Sequence, residues 1–570
     1  MKQSYLLTII IKKTILLSTL LLLLQTSVII AEEYSSNTLI IKFKQGTELF
    51  REAREFTPKN LSGSLETGSE KMNRNSILNL FMQQCNIRSI KAVKPDADFT
   101  PLAGGIERIF IIEIRPGLTT IESARKYISG NLQIEYAEFD HIGYSAGQFA
   151  GFNTTQNTSV VPNDPSFGNQ WGLRNTGQTI NGVAGTSGGD INAVNAWDIT
   201  TGTNVLVAIL DSGMPLGHPE FSGRLVQGYD YANNDNDPTD DQGHGTNVGS
   251  IVGAKGNNGS LMAGVNWNCR LMPVKILNSS NSGFYSWFVS GITYAVDNGA
   301  KVLNMSVGGQ SYNQGLADAV TYAYNNGRIV VACMMNNNNN VTYNPAGLSN
   351  VIAIGAINNR MFRAVPFCWG GGSSYGPHID FAAPGEMILG LVYNNPNTTS
   401  YWCGTSQATP MTAGVISLLY SVNPSLTYND VYNALKNSAR DQVGPPGEDT
   451  PGFDNYFGWG LIDSRGALNQ VIGIEPISTI VPDKFELWQN YPNPFNPVTK
   501  IRFDKAKGGE NAKLTVYNST GQQVAVVVNE VVSAGTYEVE FSAGNYASGI
   551  YYYKLESGKF SEMKKMVLVK

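Results

Sequence analysis

The sequence predicts an α/β core, a parallel sheet with helices on both faces, set between a small α+β unit and an all-β sandwich. Three observations carry this reading. Between residues 160 and 473, wholly apolar runs (NVLVAIL, RLMPVKIL, AKVLNMSV, RIVVACM and NVIAIGA) alternate with helical patterns such as FVSGITYAVDNG, and runs of that kind are parallel strands buried on both faces. Ahead of them, residues 32–150 run strand, helix, strand, helix, strand. Behind them, residues 477–570 alternate Val-, Tyr- and Thr-rich strands with Gly, Asn and Ser turns, the texture of a β-sandwich.

Taken in order, the chain opens with Lys2, Lys12 and Lys13 before an apolar run from Ile15 to Ala31, followed by polar Glu32-Glu33-Tyr34-Ser35. Residues 1–31 therefore read as a cleaved export signal, which places the mature protein outside the cytoplasm. In the leading unit, LIIKFK, IERIFIIEIRP and LQIEYAEFD are the strands, and the helices are the stretch around Asn75 to Gln84 and TTIESARKYISG, the latter opened by a Thr cap. From Ser145 to Pro162 there is no charged residue, as in an exposed, cleavable linker. In the tail, KLTVYNSTGQQVAVVV, GTYEVEFSAG and GIYYYKLESGKF supply hairpin-forming strands.

Bulk numbers narrow the function. At 570 residues the chain exceeds what one hydrophobic core supports. A net charge of -5 provides no basic field of the kind a phosphate backbone selects, so nucleic acid is not an expected partner. Of five cysteines, Cys85 belongs to the leading unit. Cys269, Cys333, Cys368 and Cys403 are too sparse for a disulfide framework and read as buried free thiols, with pairing the alternative.

Three short motifs follow in the order Asp, His, Ser: Asp211 in LDSGMPLGHPEF, His244 in DDQGHGTNVGSIVG and Ser406 in YWCGTSQATPMTAGVISLLY. Hydrolysis of a peptide needs an activated oxygen nucleophile, a neutral base within reach of it, and a carboxylate that fixes the base's tautomer. Singly each residue is ordinary, since an Asp at a strand end is commonly a turn residue and a Ser after Gly-Thr a helix cap. Of the four histidines, however, His141 lies in the leading unit, His218 in a turn beside Pro219, and His378 before a strand; His244 alone sits between glycines at the start of a small-residue helix. Ser406 opens a helix too, so its own N–H is a free donor aimed at developing negative charge.

LDSGMPLGHPEF, GHGTNVGSIVG, VLNMSVGG and GTSQATPM resemble the Asp, His, substrate-strand and Ser motifs of the subtilisin-like serine proteases, nearest to their thermitase-like branch. The resemblance implies a secreted serine endopeptidase acting on polypeptides, with Asp211, His244 and Ser406 as its triad. It implies that substrate lies as an added strand between Ser282-Gly283 and Ser306-Val307-Gly308. Asn247 stands where the family has a second histidine and Gln407 where it often has methionine. The family's oxyanion asparagine falls on Asn336, with Met335 in place of the usual glycine; methionine there should demand an ordinary backbone conformation, and the asparagine run allows a slip to Asn337. Calcium is the implied cofactor, held by Asp230, Asn233, Asp235 and Asp237 with Thr239 in one loop, and by Asp164, Glu220 and Asn258 with carbonyls near Lys255 and Met262 at a second site; hard oxygens suit calcium rather than zinc. The leading unit resembles the inhibitory prosegments of this family. The tail, from FELWQNYPNPFNPVTKIRF to MKKMVLVK, resembles the sorting domains that address proteins to the type IX secretion machinery. A catalytically dead subtilisin fold serving as a surface adhesin is the competing reading. An esterase is disfavoured by the order of the motifs and by the lack of G-x-S-x-G around the serine.

Overall fold

The structure, a computed structural model, describes residues 34–56, 65–66, 76–97, 99–117, 119–152, 162–472, 475–478, 482–506, 511–531, 534–543 and 546–569. The expected export signal lies outside them, as does half of the uncharged linker, residues 153–161. Among the described residues no helix is long and apolar enough to cross a membrane.

The central sheet has seven parallel strands in the order Tyr229–Asp230, Arg270–Lys275, Leu206–Asp211, Val302–Met305, Ile329–Cys333, Val351–Ile357, Phe381–Pro384. The apolar runs are continuous because alternate side chains enter different cores. Val207 and Ile209 pack with the helix Thr405–Val422, whereas Ala208 and Leu210 pack with Tyr285–Asp297 and Gln314–Asn325. The five runs singled out in the sequence form five strands of this sheet. The strand expected after His378 is Phe381–Pro384 at one edge of the sheet, whereas the two-residue strand Tyr229–Asp230 at the other edge was not anticipated.

The leading unit builds on Tyr34–Phe43, paired antiparallel to Ile109–Ile114, with Ile87–Ala92 on the far side. Thr120 caps the helix Ile121–Ser129 by accepting from the Ser123 N–H at 3.3 Å. Its last strand, Ile134–Ser145, does not end at the unit's own edge. It pairs antiparallel with Ser282–Phe284 on one side and Val307–Gly308 on the other, so one sheet runs from the leading unit into the catalytic one.

The tail forms two four-stranded antiparallel sheets, as the alternating pattern predicts. Leu487, Ile501, Phe503, Leu514, Val516, Val539 and Tyr553 fill a shared core.

The cysteine expectation needs correction. Cys269 and Cys333 are buried free thiols, as is Cys85, but Cys368 and Cys403 form a disulfide with Cα atoms 6.1 Å apart. The strand Asn395–Cys403 brings Cys403 to the loop that carries Cys368, a proximity that 35 residues of separation conceal.

Candidate active site

Asp211 is the last residue of its strand, at the carboxyl end of the sheet, where ligands of open α/β folds gather. His244 is the first residue of the helix His244–Gly253, after Gly243 at φ 107, a left-handed turn that favours glycine. Its Nδ1 lies 2.7 Å from Asp211 Oδ1, with both side chains fully buried. The carboxylate thus fixes the tautomer that leaves Nε2 to act as base. Trp402 packs edge-on against the imidazole, ring centroids 5.8 Å apart, and shields the pair from water.

Ser406 is the second residue of the helix Thr405–Val422. Its hydroxyl donates to the Ser306 carbonyl at 3.0 Å, while the Ser306 hydroxyl donates to the Ser406 carbonyl at 2.9 Å. His244 Nε2 has no hydrogen-bond partner among the described residues. Asp211 and His244 are therefore paired, while the Ser406 hydroxyl is engaged with the Ser306 carbonyl instead of the imidazole.

The residue that arrives at this point is Ala146, directly after the strand Ile134–Ser145 of the leading unit. Strand pairing sets Tyr144 opposite Ser282, Gly143 opposite Gly283, Ser145 opposite Val307 and Tyr144 opposite Gly308. The Ala146 N–H donates to the Ser306 carbonyl at 3.1 Å. Its carbonyl accepts from Asn336 Nδ2 and from the Ser406 N–H, the latter at 3.4 Å. Asn336 Oδ1 in turn accepts from the Thr405 N–H and hydroxyl, both at 2.9 Å, and this orients the amide so that its NH2 faces Ala146. Asn337 is exposed, and its backbone N–H donates to Ser374 Oγ at 3.1 Å. A Cβ on Gly404 would collide with the Ala146 carbonyl oxygen, so only glycine leaves space there for the oxygen that becomes charged during attack. Met335 departs from expectation: it takes the left-handed conformation, φ 67, which costs a residue with a side chain about 1–2 kcal/mol.

Several supports were not read from the sequence. Asp240 is buried and accepts from Ser212 Oγ (2.9 Å) and from the N–H groups of Gln242 (3.0 Å), Gly243 (2.8 Å) and Thr246 (2.9 Å). It ties the Asp211 loop to the N-terminus of the His244 helix, and the acidic run DDQGHG was the available signal. Asn247 Oδ1 accepts from Gln407 Nε2 at 3.1 Å, so the two departures from the family motifs are partners. In the strand Ile134–Ser145, Asp140 accepts from Ser286 N–H and Oγ (2.8 and 2.5 Å) and Glu138 from Gln314 N–H (2.9 Å). Each carboxylate caps a helix of the catalytic unit. Burial, opposed by the Ser286 hydrogen bonds, pushes Asp140 up to about 7.

The expected calcium ligands divide. Asp164, Glu220 and Asn258 converge: Asn258 Nδ2 lies 3.3 and 3.2 Å from the Glu220 oxygens, and Asp164 accepts from the N–H groups of Asn257 (2.6 Å) and Asn258 (3.3 Å). Both carboxyls are buried, and burial raises both above the usual carboxylate range. In the other loop the side chains bond their own turn instead. Asp230 accepts from Ala232 N–H, Asn233 N–H and Asn233 Nδ2, Asp235 from Asp237 N–H, and Asp237 from Thr239. Among the described residues no group of three or more His, Cys, Asp or Glu side chains is disposed to hold a metal.

A buried Asp–His pair, a serine at a helix start and two converging N–H donors, all at the carboxyl edge of a parallel sheet, define a serine hydrolase that attacks carbonyls. Residues 202–460 match the subtilase family, and residues 489–570 match the secretion system C-terminal sorting domain. The chain is 33% identical over 350 residues to the thermophilic serine proteinase of Bacillus sp. (strain AK1), an alignment covering 61% of this chain and 76% of that protein. It is 36% identical over 282 residues to thermitase of Thermoactinomyces vulgaris, covering 49% and 91%, and 36% identical over 270 residues to subtilisin DY of Bacillus licheniformis, covering 47% and 91%. The chain belongs to the subtilase family of serine proteases and has the subtilisin fold. Its sorting domain marks it for type IX secretion to the cell surface or beyond.

Proposed function

We propose that this protein is a secreted endopeptidase, made as a self-inhibited proform, in which Ser406 attacks the substrate carbonyl, His244 takes and returns the proton, and Asp211 holds the imidazole. The observation that carries the reading is the position of the Ala146 carbonyl: it meets the donors of Asn336 and Ser406 at the end of a strand clamped between Ser282-Gly283 and Val307-Gly308. That is where a scissile carbonyl must lie for its oxyanion to be stabilised.

Rotation of Ser406 about χ1 carries Oγ from the Ser306 carbonyl toward His244 Nε2, which removes the proton as Oγ bonds to the carbonyl carbon. The tetrahedral oxyanion is held by Asn336 Nδ2 and the Ser406 N–H. Collapse expels the amine of the following residue, protonated by His244, and leaves an acyl-enzyme that water resolves through the same base. Applied to its own chain, this chemistry cuts between Ala146 and Gly147 and frees residues up to Ala146 as a prosegment. Until it dissociates, that prosegment occupies the cleft and inhibits. Residues 32–150 are accordingly inhibitor and linker, 160–473 peptidase, and 477–570 sorting domain. Polypeptides are the substrates.

Asp164 and Glu220 supply two buried carboxylates, the hard ligands that suit a structural calcium, while Asn258 presents Nδ2 to Glu220 and gives its Oδ1 to the Ser260 N–H at 2.9 Å, so its amide would have to turn over to join them. Bound calcium would neutralise the two carboxylates and add stability without entering the reaction. The loop from Asp230 to Asp237 already spends its oxygens on its own amides and fits less well.

A fluorophosphonate probe tests the function. Labelling of the matured protein that disappears in Ser406→Ala supports it; a folded, matured protein that resists the probe would mark an inactive binding protein instead.

A further inference from the structure

The cleft holds this chain's own segment in the pose of a substrate, and that pose shows what each position admits. We propose that the peptidase is selective for small residues on the acyl side of the scissile bond (alanine, glycine or serine), with glycine required three residues upstream. Met335 and Tyr343 set the first preference and Phe288 the second. The proposal rests on Ala146 being the residue whose carbonyl is attacked.

Ala146 is sealed in a buried cluster with Cys333, Met335 and Tyr343, the four being 2%, 0%, 7% and 3% exposed. Met335 spans the cleft. Its sulfur lies 3.7 Å from Cys333 Sγ and only 3.1 Å from where a Cβ on Gly308 would stand, so it reaches from the end of the Ile329–Cys333 strand to the opposite wall. The left-handed backbone at Met335 fixes that direction. Tyr343 is tethered at its far end, its hydroxyl accepting from Asn339 Nδ2 at 3.2 Å. Beyond the methyl of alanine the space is filled by these two side chains.

Three residues upstream, a Cβ on Gly143 would stand 2.5 Å from the Phe288 ring and 3.2 Å from Tyr285. Both rings are fully buried and stacked on one another, centroids 5.5 Å apart, so neither can swing aside without opening the core. Tyr144, between them in sequence, is 41% exposed and imposes no such limit. On the leaving side, a Cβ on Gly147 would lie 2.8 Å from the Gln407 amide and from His244 Nε2, which again favours a small residue. Glycine- and alanine-rich extended polypeptides are therefore the substrate class.

The test uses the matured protein, titrated with a fluorophosphonate to count active sites, and quenched-fluorescence peptides built on Gly-Tyr-Ser-Ala-Gly. Replacing the alanine by phenylalanine, or the first glycine by leucine, should each lower kcat/KM by at least about 10²-fold, since even a single methylene of misfit costs about 10–200-fold. Met335→Gly should shrink the alanine-to-phenylalanine ratio tenfold or more, and Tyr343→Ala provides a second opening of the same space. If titrated wild type cleaves the phenylalanine peptide as fast as the alanine one, the specificity is wrong and the protease reading stands. If the folded protein neither titrates nor cleaves any peptide, both fall together.

Discussion

Asn336→Ala should lower kcat by about 10²–10³ and leave KM nearly constant. The structure sets the size of the effect. Of the two donors to the Ala146 carbonyl, the Ser406 N–H is long at 3.4 Å, so Asn336 Nδ2 carries most of the stabilisation. Its contribution grows as the carbonyl oxygen becomes charged, which is why turnover and not binding should suffer; the loss corresponds to about 2.7–4 kcal/mol of transition-state stabilisation. The substitution also strands the Thr405 N–H, which Asn336 Oδ1 accepts at 2.9 Å, at a stability cost of about 1–3 kcal/mol. Melting temperature and active-site titration must accompany the kinetics to separate the two effects. Asn337→Ala is the control and should remain within about twofold of wild type, because Asn337 is exposed and its bond to Ser374 comes from the backbone N–H, which alanine keeps. A large loss for Asn337→Ala with none for Asn336→Ala, or an Asn336→Ala defect confined to KM, would refute the reasoning.

The prosegment's grip should depend on pH through Asp140. Its carboxyl rises from an ordinary value near 3.8 to about 7 when buried at Ser286, so the bound state holds the extra proton; affinity is then greatest below about 4 and falls as pH rises to about 7. Inhibition constants for the isolated 32–146 peptide should show that slope in wild type and a shallower one in Asp140→Asn, where Glu138, also raised by burial against Gln314, supplies what remains. Free calcium should raise the melting temperature, by about 2.7 kcal/mol of stability at a hundredfold excess over Kd, and Asp164→Asn should abolish the response; a melting curve indifferent to calcium and chelator removes the metal from the account. Truncation after Glu475 should leave a peptidase that is active but retained in the periplasm, and unchanged export of that truncated chain would remove the sorting role.

The sequence made legible what local pattern encodes. Five continuous apolar runs betrayed strands buried on both faces, and the positions of Asp211, His244 and Ser406 at element ends followed from the same pattern. The alternating tail announced its sandwich. Tertiary closure was hidden. The Cys368–Cys403 pair depends on a strand passing a distant loop, and the edge strand Tyr229–Asp230 is too short for periodicity to mark. Met335 misled because propensity alone argues against φ 67, whereas its surroundings impose it. Asp240 was invisible as a support since an acidic turn and a buried organiser of five donors look alike in one dimension.

The most direct test of the account is the N-terminal sequence and intact mass of the secreted protein beside Ser406→Ala, both expressed without other proteases. The account predicts a wild-type catalytic chain that begins at Gly147, with any further trimming of the linker appearing later, and a Ser406→Ala chain that stays joined through Ala146–Gly147. Cleavage of Ser406→Ala at that same bond and rate, or a first wild-type cut elsewhere, would contradict it.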